Sequence, residues 1–217
     1  MSVRLVGLLV VSLLSSTSVI AGKFVIGGSV GIATGGEDVA SLNEQLEDAG
    51  FTAKASTSGD IRTSWKASIG YHLDSKWGLD LAYVNLGEAT VSFTGIEVPI
   101  DELLDGIGDI HPRSAEGPKL SILYQYELNK SMHVQFLLGV FDWETSYTLS
   151  GPRPPEQGGG IISREITQTG TELSTGLGLV HRLTNDMSWH IDWDFYSIDS
   201  EPINVFSFGL SYKFNLF

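Results

Sequence analysis

From Asn204 to Phe217 the chain alternates with a period of two. Phe206, Phe208, Leu210, Tyr212 and Phe214 share one face, and Val205, Ser207, Gly209, Ser211 and Lys213 share the other. That is the period of a β-strand. One face is wholly apolar and mostly aromatic, and the other is small or polar. Such a strand suits a half-buried place in a sheet. It suits equally a barrel wall whose apolar face meets lipid and whose polar face meets a lumen. The rest of the chain decides between them.

The same pattern recurs along the chain. In Lys23–Thr34, Phe24, Ile26, Gly28, Val30 and Ile32 take one face; Val25, Gly27, Ser29, Gly31 and Ala33 take the other. Gly35–Arg62 does not alternate. It reads as a polar, acidic loop with a short helix capped by Asp38 and carrying Val39, Leu42 and Leu46. From Thr63, outward Trp65, Ala67, Ile69, Tyr71 and Leu73 lead to a tight turn at Asp74-Ser-Lys76. Trp77, Leu79, Leu81 and Tyr83 face out on the next strand, which reads on to Phe93. Gly95–Gly117 is a second acidic segment, with a helix expected around Leu103 and Leu104.

Pro118–Leu128 and Met132–Leu149 form the next pair, joined by a turn of about two residues at Asn129-Lys130. Gly151–Gly160 is a loop by composition. Thr167–Leu183 and the strand carrying Trp189, Ile191, Trp193 and Phe195 are joined by Thr184-Asn-Asp186, and Asp199–Pro202 leads to the closing strand. The total is eight strands whose connections alternate long and short. Only an up-and-down transmembrane barrel has reason to sort its loops so. Outward aromatics sort by height as well. Tyr71, Trp77, Tyr126, Trp189 and Tyr212 lie toward the short turns, and Trp65, Tyr83 and Trp193 toward the long loops. Two aromatic girdles anchor a barrel at its two interfaces.

Residues 1–21 read as a secretory signal peptide: basic Arg4, an apolar core from Leu5 to Leu14, and small residues ending at Ala21. The barrel domain is then 22–217. Both termini and the short turns are expected on the periplasmic side of a Gram-negative outer membrane, with the long loops extracellular. Cysteine is absent, which excludes disulfides and thiolate chemistry. Without residues 1–21 the formal charge moves from −13 to near −14, which disfavours nucleic acid as a partner.

The chain resembles the OmpA-type transmembrane domain, the small eight-stranded outer-membrane barrels. The resemblance rests on Trp65-Lys-Ala-Ser-Ile-Gly-Tyr71, Leu81-Ala-Tyr-Val-Asn-Leu-Gly-Glu88, Leu177-Gly-Leu179 and Gly209-Leu-Ser-Tyr-Lys-Phe214. It implies assembly by the barrel-insertion machinery, through a terminal aromatic. Phe217 is out of phase with Phe214, so either Phe214 is that signal or the strand bends at Asn215. Larger members carry a periplasmic peptidoglycan-binding domain, which is not expected here.

Inward charges are Lys66, Lys119, Arg182 and Lys213 against Asp80, Glu127, Glu172, Asp192 and Asp194. A small barrel is filled by its own side chains, so a near-neutral set points to a lumen plugged by ion pairs. By height, Arg182, Lys213, Asp80 and Glu127 fall in a lower layer. Lys66, Lys119, Glu172 and Asp194 fall in an upper one. The resemblance implies that such a plug can rearrange into a narrow pore.

His190, Asp192 and Asp194 suggest a metal site, and Ser188, His190 and Asp192 a hydrolytic triad. Alternate strand residues are about 6.5–7 Å apart, whereas one ion needs ligands within about 2.0–2.6 Å. A paired lumen network is the favoured reading. No catalytic residue, metal or cofactor is expected. The expected function is a monomeric, structural, surface-presenting barrel. Its partners are outer-membrane lipids and lipopolysaccharide, and its acidic loops serve for interaction. The alternatives are a low-conductance pore and a lipid-modifying enzyme.

Overall fold

The computed structural model describes residues 23–35, 39–58, 61–88, 90–94, 115–152, 161–199 and 201–214. The signal segment, Asp38, the expected helix at Leu103 and Leu104, Asn215 and Phe217 lie outside them.

Eight strands close an antiparallel barrel: β1 (Lys23–Gly35), β3 (Ile61–His72), β4 (Trp77–Asn85), β6 (Glu116–Glu127), β7 (Met132–Pro152), β8 (Ile161–Arg182), β9 (Met187–Ile198) and β10 (Glu201–Phe214). Neighbours in sequence are neighbours in space, and β1 closes the ring against β10 from Phe24↔Phe214 to Gly35↔Ile203. The expected eight-stranded up-and-down topology is the observed one. Two shorter strands, β2 (Lys54–Ser58) and β5 (Thr90–Thr94), form a separate sheet between the long connections. The helix α1 (Val39–Asp48) packs on it. Leu46, Ala53 and Ala55 are buried there. The Asn43 side chain makes both hydrogen bonds of a strand partner to Ala55, 3.1 Å to its carbonyl and 2.8 Å from its N–H.

The alternation turns the large apolar residues outward. Ile69, Leu81, Ile122, Leu138, Ile191 and Phe208 all stand exposed on the outer wall. In water so large an apolar band would drive aggregation. In a bilayer it is the required surface, and ring closure satisfies the backbone groups without a free edge. Ile69 lies at mid-height, between outward Trp65 and Tyr71 on the same strand. Ile69→Arg is expected to destabilise the barrel by about 2–4 kcal/mol, read from denaturant unfolding in lipid vesicles.

Three short turns share one device. Asp74 Oδ1 accepts the N–H groups of Lys76 and Trp77, both at 2.7 Å. Asn129 Oδ1 accepts those of Ser131 and Met132, both at 3.0 Å. Thr184 Oγ1 accepts those of Asp186 and Met187 at 3.3 and 3.0 Å. The turn after Glu127 therefore wraps Asn129, Lys130 and Ser131, one residue more than expected, because the side chain of Asn129 caps both following amides. The N–H groups of Trp77 and Lys76 hold the Asp74 carboxyl below its ordinary value of 3.8. Its contribution is thus complete above 3.8 and is lost as pH falls through the lowered value. Faster amide exchange at Trp77 in strong acid, and not at Met187, is the expected sign.

The strand limits differ from expectation at the long-loop end. The third barrel strand, β4, does not run on to Phe93. It stops at Asn85, where the Leu86 N–H turns to the Ala115 carbonyl at 2.9 Å and Gly87 takes a φ of 81°. Residues 90–94 belong to the separate sheet instead. Arg62, read as loop, lies inside β3. The β7 and β8 strands are longer than expected and stay paired to Pro152↔Ile161, past the last partners of β6 at Glu144 and of β9 at Ser174.

Candidate functional site: the barrel lumen

The inner wall is unequally furnished. On β1, β3 and β10 many inward residues are small: Gly27, Ser29 and Gly31; Ser64 and Ser68, which flank Lys66; Ser207 and Gly209. On β6, β7 and β9 bulky ones stand inward: Lys119, Leu137, Phe141, Trp143, Asp192, Asp194 and Tyr196, all buried. The bulky half crosses the lumen to meet the small half. Gly176 and Gly178 stand directly opposite Asp194 and Asp192. A Cβ at Gly176 would meet Asp194 Oδ1 at 2.6 Å, and one at Gly178 would collide with Asp192 Oδ1. Those two positions give the carboxylates their room.

At mid-height Lys66 Nζ lies 2.7 Å from Asp194 Oδ2 and 3.3 Å from Asp192 Oδ2, and Lys119 Nζ lies 3.0 Å from Asp194 Oδ1. Asp192 also accepts from Gln135 at 3.1 Å and meets His190 Nδ1 at 2.8 Å. Asp80 lies within electrostatic reach of both lysines. Lys119 sits 5.0 Å from the Tyr196 ring centroid, a cation–π contact. Tyr196 in turn meets Phe141 edge-on at 5.1 Å. These two contacts join the charged layer to an apolar one toward the long loops. There Val84, Leu86, Phe141, Trp143, Ile198, Ile203 and Val205 form one buried cluster.

The other inward charges stand apart from this group. Glu172 pairs across from Phe141, inside the apolar layer, and its carboxylate accepts the Asp199 N–H at 2.8 Å. Arg182 is exposed at the short-turn mouth, where it donates to the Lys130 carbonyl at 3.2 Å. Glu127 and Lys213 line a cavity of about 450 Å³ at that end, which reaches inward to Lys66, His190 and Asp192. The expected lower layer is therefore a water-facing vestibule in which only Asp80 approaches the buried lysines. Solvent is available to Arg182, Glu127 and Lys213, so nothing forces them to pair.

The expectation that strand spacing keeps His190 from Asp192 needs correction. The spacing separates Cα atoms, and two side chains on one face can still lean together, as here at 2.8 Å. Among the described residues no hydrogen bond joins Ser188 to His190, and no three acidic or imidazole groups gather as for a metal. The girdle residues Trp65, Trp77, Tyr83, Tyr126, Trp193 and Tyr212 are exposed on the outer wall, with Tyr71 and Trp189 half-buried beside ring neighbours. Phe214 ends β10 stacked near Phe24 at 5.9 Å.

The sequence reading missed two features. Buried Arg62 donates to the carbonyls of Leu86 and Gly35 at 3.3 and 3.1 Å, tying two strand ends at the rim. The apolar layer was missed too. Its signal was present: near the long loops Phe141, Trp143, Ile198 and Ile203 put apolar bulk on the inward parity.

A closed eight-stranded antiparallel barrel with a lipid-facing apolar wall and a polar lumen defines a class, the small outer-membrane barrels. The chain belongs to the outer membrane protein beta-barrel domain family, whose sequence model matches residues 5–214. Among solved structures it is similar to OprG from Pseudomonas aeruginosa: 14% identity, 90% of this chain and 97% of that one covered, TM-score 0.53. It also matches the Neisserial surface protein A, at 11% identity over 88% of this chain and 97% of that one, TM-score 0.48. Ail of Yersinia pestis matches at 12% identity over 89% of this chain and 99% of that one, TM-score 0.46. At such identities the likeness is one of fold. No curated protein sequence matches the chain.

Proposed function

We propose that this is a non-enzymatic outer-membrane barrel whose lumen is closed to ion flow and whose work is done at its outer face. The observation that carries the reading is the buried Lys66–Asp194–Lys119 group lying beneath the apolar layer of Phe141, Trp143 and Ile203. Ions reaching the vestibule meet charges already paired, then a dry stretch that gives no hydration. In this reading the short turns and termini face the periplasm after removal of residues 1–21. The long acidic connections face outward as interaction sites. The monomer's contacts are outer-membrane lipids and lipopolysaccharide, reached through the barrel-insertion machinery.

Planar-bilayer conductance of the refolded protein tests it. A silent wild type is expected, and Arg182→Ala is expected to be silent too, because Arg182 sits at the open mouth. Steady wild-type current would sink the closed-barrel reading. A narrow, low-conductance pore is the second reading. The cavity at the short-turn end favours it, since that cavity already carries solvent to Lys66.

A further inference from the structure

Where the bulky half of the lumen meets the small half, packing leaves a second cavity of about 10 Å³. Ser29, Ser64 and Ser207 line it from three adjacent strands, with Lys66 and Asp194 below and Val84, Tyr196 and Val205 beside them. Gly31 is the cross-strand partner of both Ser64 and Ser207, so no side chain from β1 fills the space between them. The three serines are 6%, 2% and 7% exposed, and none of their hydroxyls has a hydrogen-bond partner within the protein. A buried hydroxyl left without a partner is costly. Three such hydroxyls around one small space define a polar site. About one probe sphere of volume and two to four polar partners are what a buried water requires. Lys66 and Asp194 line the same cavity and are paired with each other at 2.7 Å, so the site offers no unbalanced charge to hold an ion.

We propose that Ser29, Ser64 and Ser207 bind a single water molecule. The site is the inner end of a hydrated path that enters from the short turns along the β10–β1–β3 wall. Lys66 lines both this cavity and the vestibule and is the one residue that the two linings share. Beyond the site the path meets Val84, Val205 and Tyr196. An apolar constriction excludes water and ions without any charged gate. The final closing element is therefore this apolar collar, and not the ion-paired lysines beneath it. The inference rests on the closed-barrel reading for the collar's role, whereas the water site stands on its own geometry.

The test uses the mature chain in lipid nanodiscs. Water–protein NMR cross-peaks of a long-lived buried water are expected at the amide and β-protons of Ser29, Ser64 and Ser207. They are expected to be lost in Ser64→Val and, independently, in Ser207→Val, with the rest of the spectrum retained. Absence of the cross-peaks in the wild type overturns the site, as does their survival in both folded variants. For the collar, proton flux into vesicles is compared between the wild type, the Val84→Ser/Val205→Ser pair and Lys66→Met. Flux gained by the collar pair alone supports the proposal. Flux gained by Lys66→Met with the collar pair silent overturns the collar's role. Wild-type flux equal to that of the collar pair defeats the closed-barrel reading, and the NMR result on the water site is unaffected.

Discussion

Asp194→Ala is expected to destabilise the barrel by about 3–5 kcal/mol. The carboxylate holds two ammonium groups, Lys66 at 2.7 Å and Lys119 at 3.0 Å, and the Lys119 side chain is only 1% exposed. Removing it leaves Lys119 charged in a space that water does not reach. Lys66 suffers less, since it borders the vestibule and keeps Asp192 at 3.3 Å. The asymmetry gives the experiment its control. In the double variant Lys119→Met/Asp194→Leu both charges disappear into apolar volume, and most of the lost stability is expected to return. Denaturant unfolding in vesicles, arranged as a double-mutant cycle, measures the coupling directly. A single-variant loss below about 1 kcal/mol would mean that Asp80 takes over as acceptor for Lys119.

Phe141→Ala is the second large effect, expected at about 3–5 kcal/mol. Phe141 is 1% exposed and lies edge-on to Tyr196, between the charged layer and the apolar layer. Its removal leaves a cavity that the rigid barrel wall cannot collapse to fill. Because the cavity opens within the layer that closes the lumen, the same variant is expected to show intermittent current where the wild type is silent. Destabilisation without current would show that the remaining apolar residues, Trp143 and Ile203 among them, close the lumen without Phe141.

Both effects arise at inward positions, and the two parities were not equally legible. The outward face could be read almost directly, because lipid makes one simple demand on every residue it touches. Ile26, Ile69, Leu81, Phe206 and Phe208 meet it, and each is exposed on the wall. The inward face answers to whichever side chains stand across the lumen, and those lie on strands far apart in sequence. Lys66 and Asp194 are 128 residues apart in the chain and 2.7 Å apart in space. Parity showed that both point inward, but not that they meet. Arg182 and Glu172 have the same parity and end at different heights, one at the short-turn mouth on the Lys130 carbonyl and the other within the apolar layer on the Asp199 N–H.

Alternation and turn chemistry by themselves determined the eight barrel strands, their closure into a barrel and the three short turns, while the last connection, expected as one of the long ones, is only two residues between Ile198 and Glu201. These depend on a local period and on one uniform solvent, so a single sequence carries them. Only the tertiary structure decided that β4 ends at Asn85 and that β2 and β5 pair outside the barrel. Only it divided the lumen into vestibule, charged layer and apolar layer. Register around the ring sets which inward residues share a height, and side-chain length sets which of those touch. Both quantities belong to the closed barrel as a whole, and no stretch of the chain holds them alone.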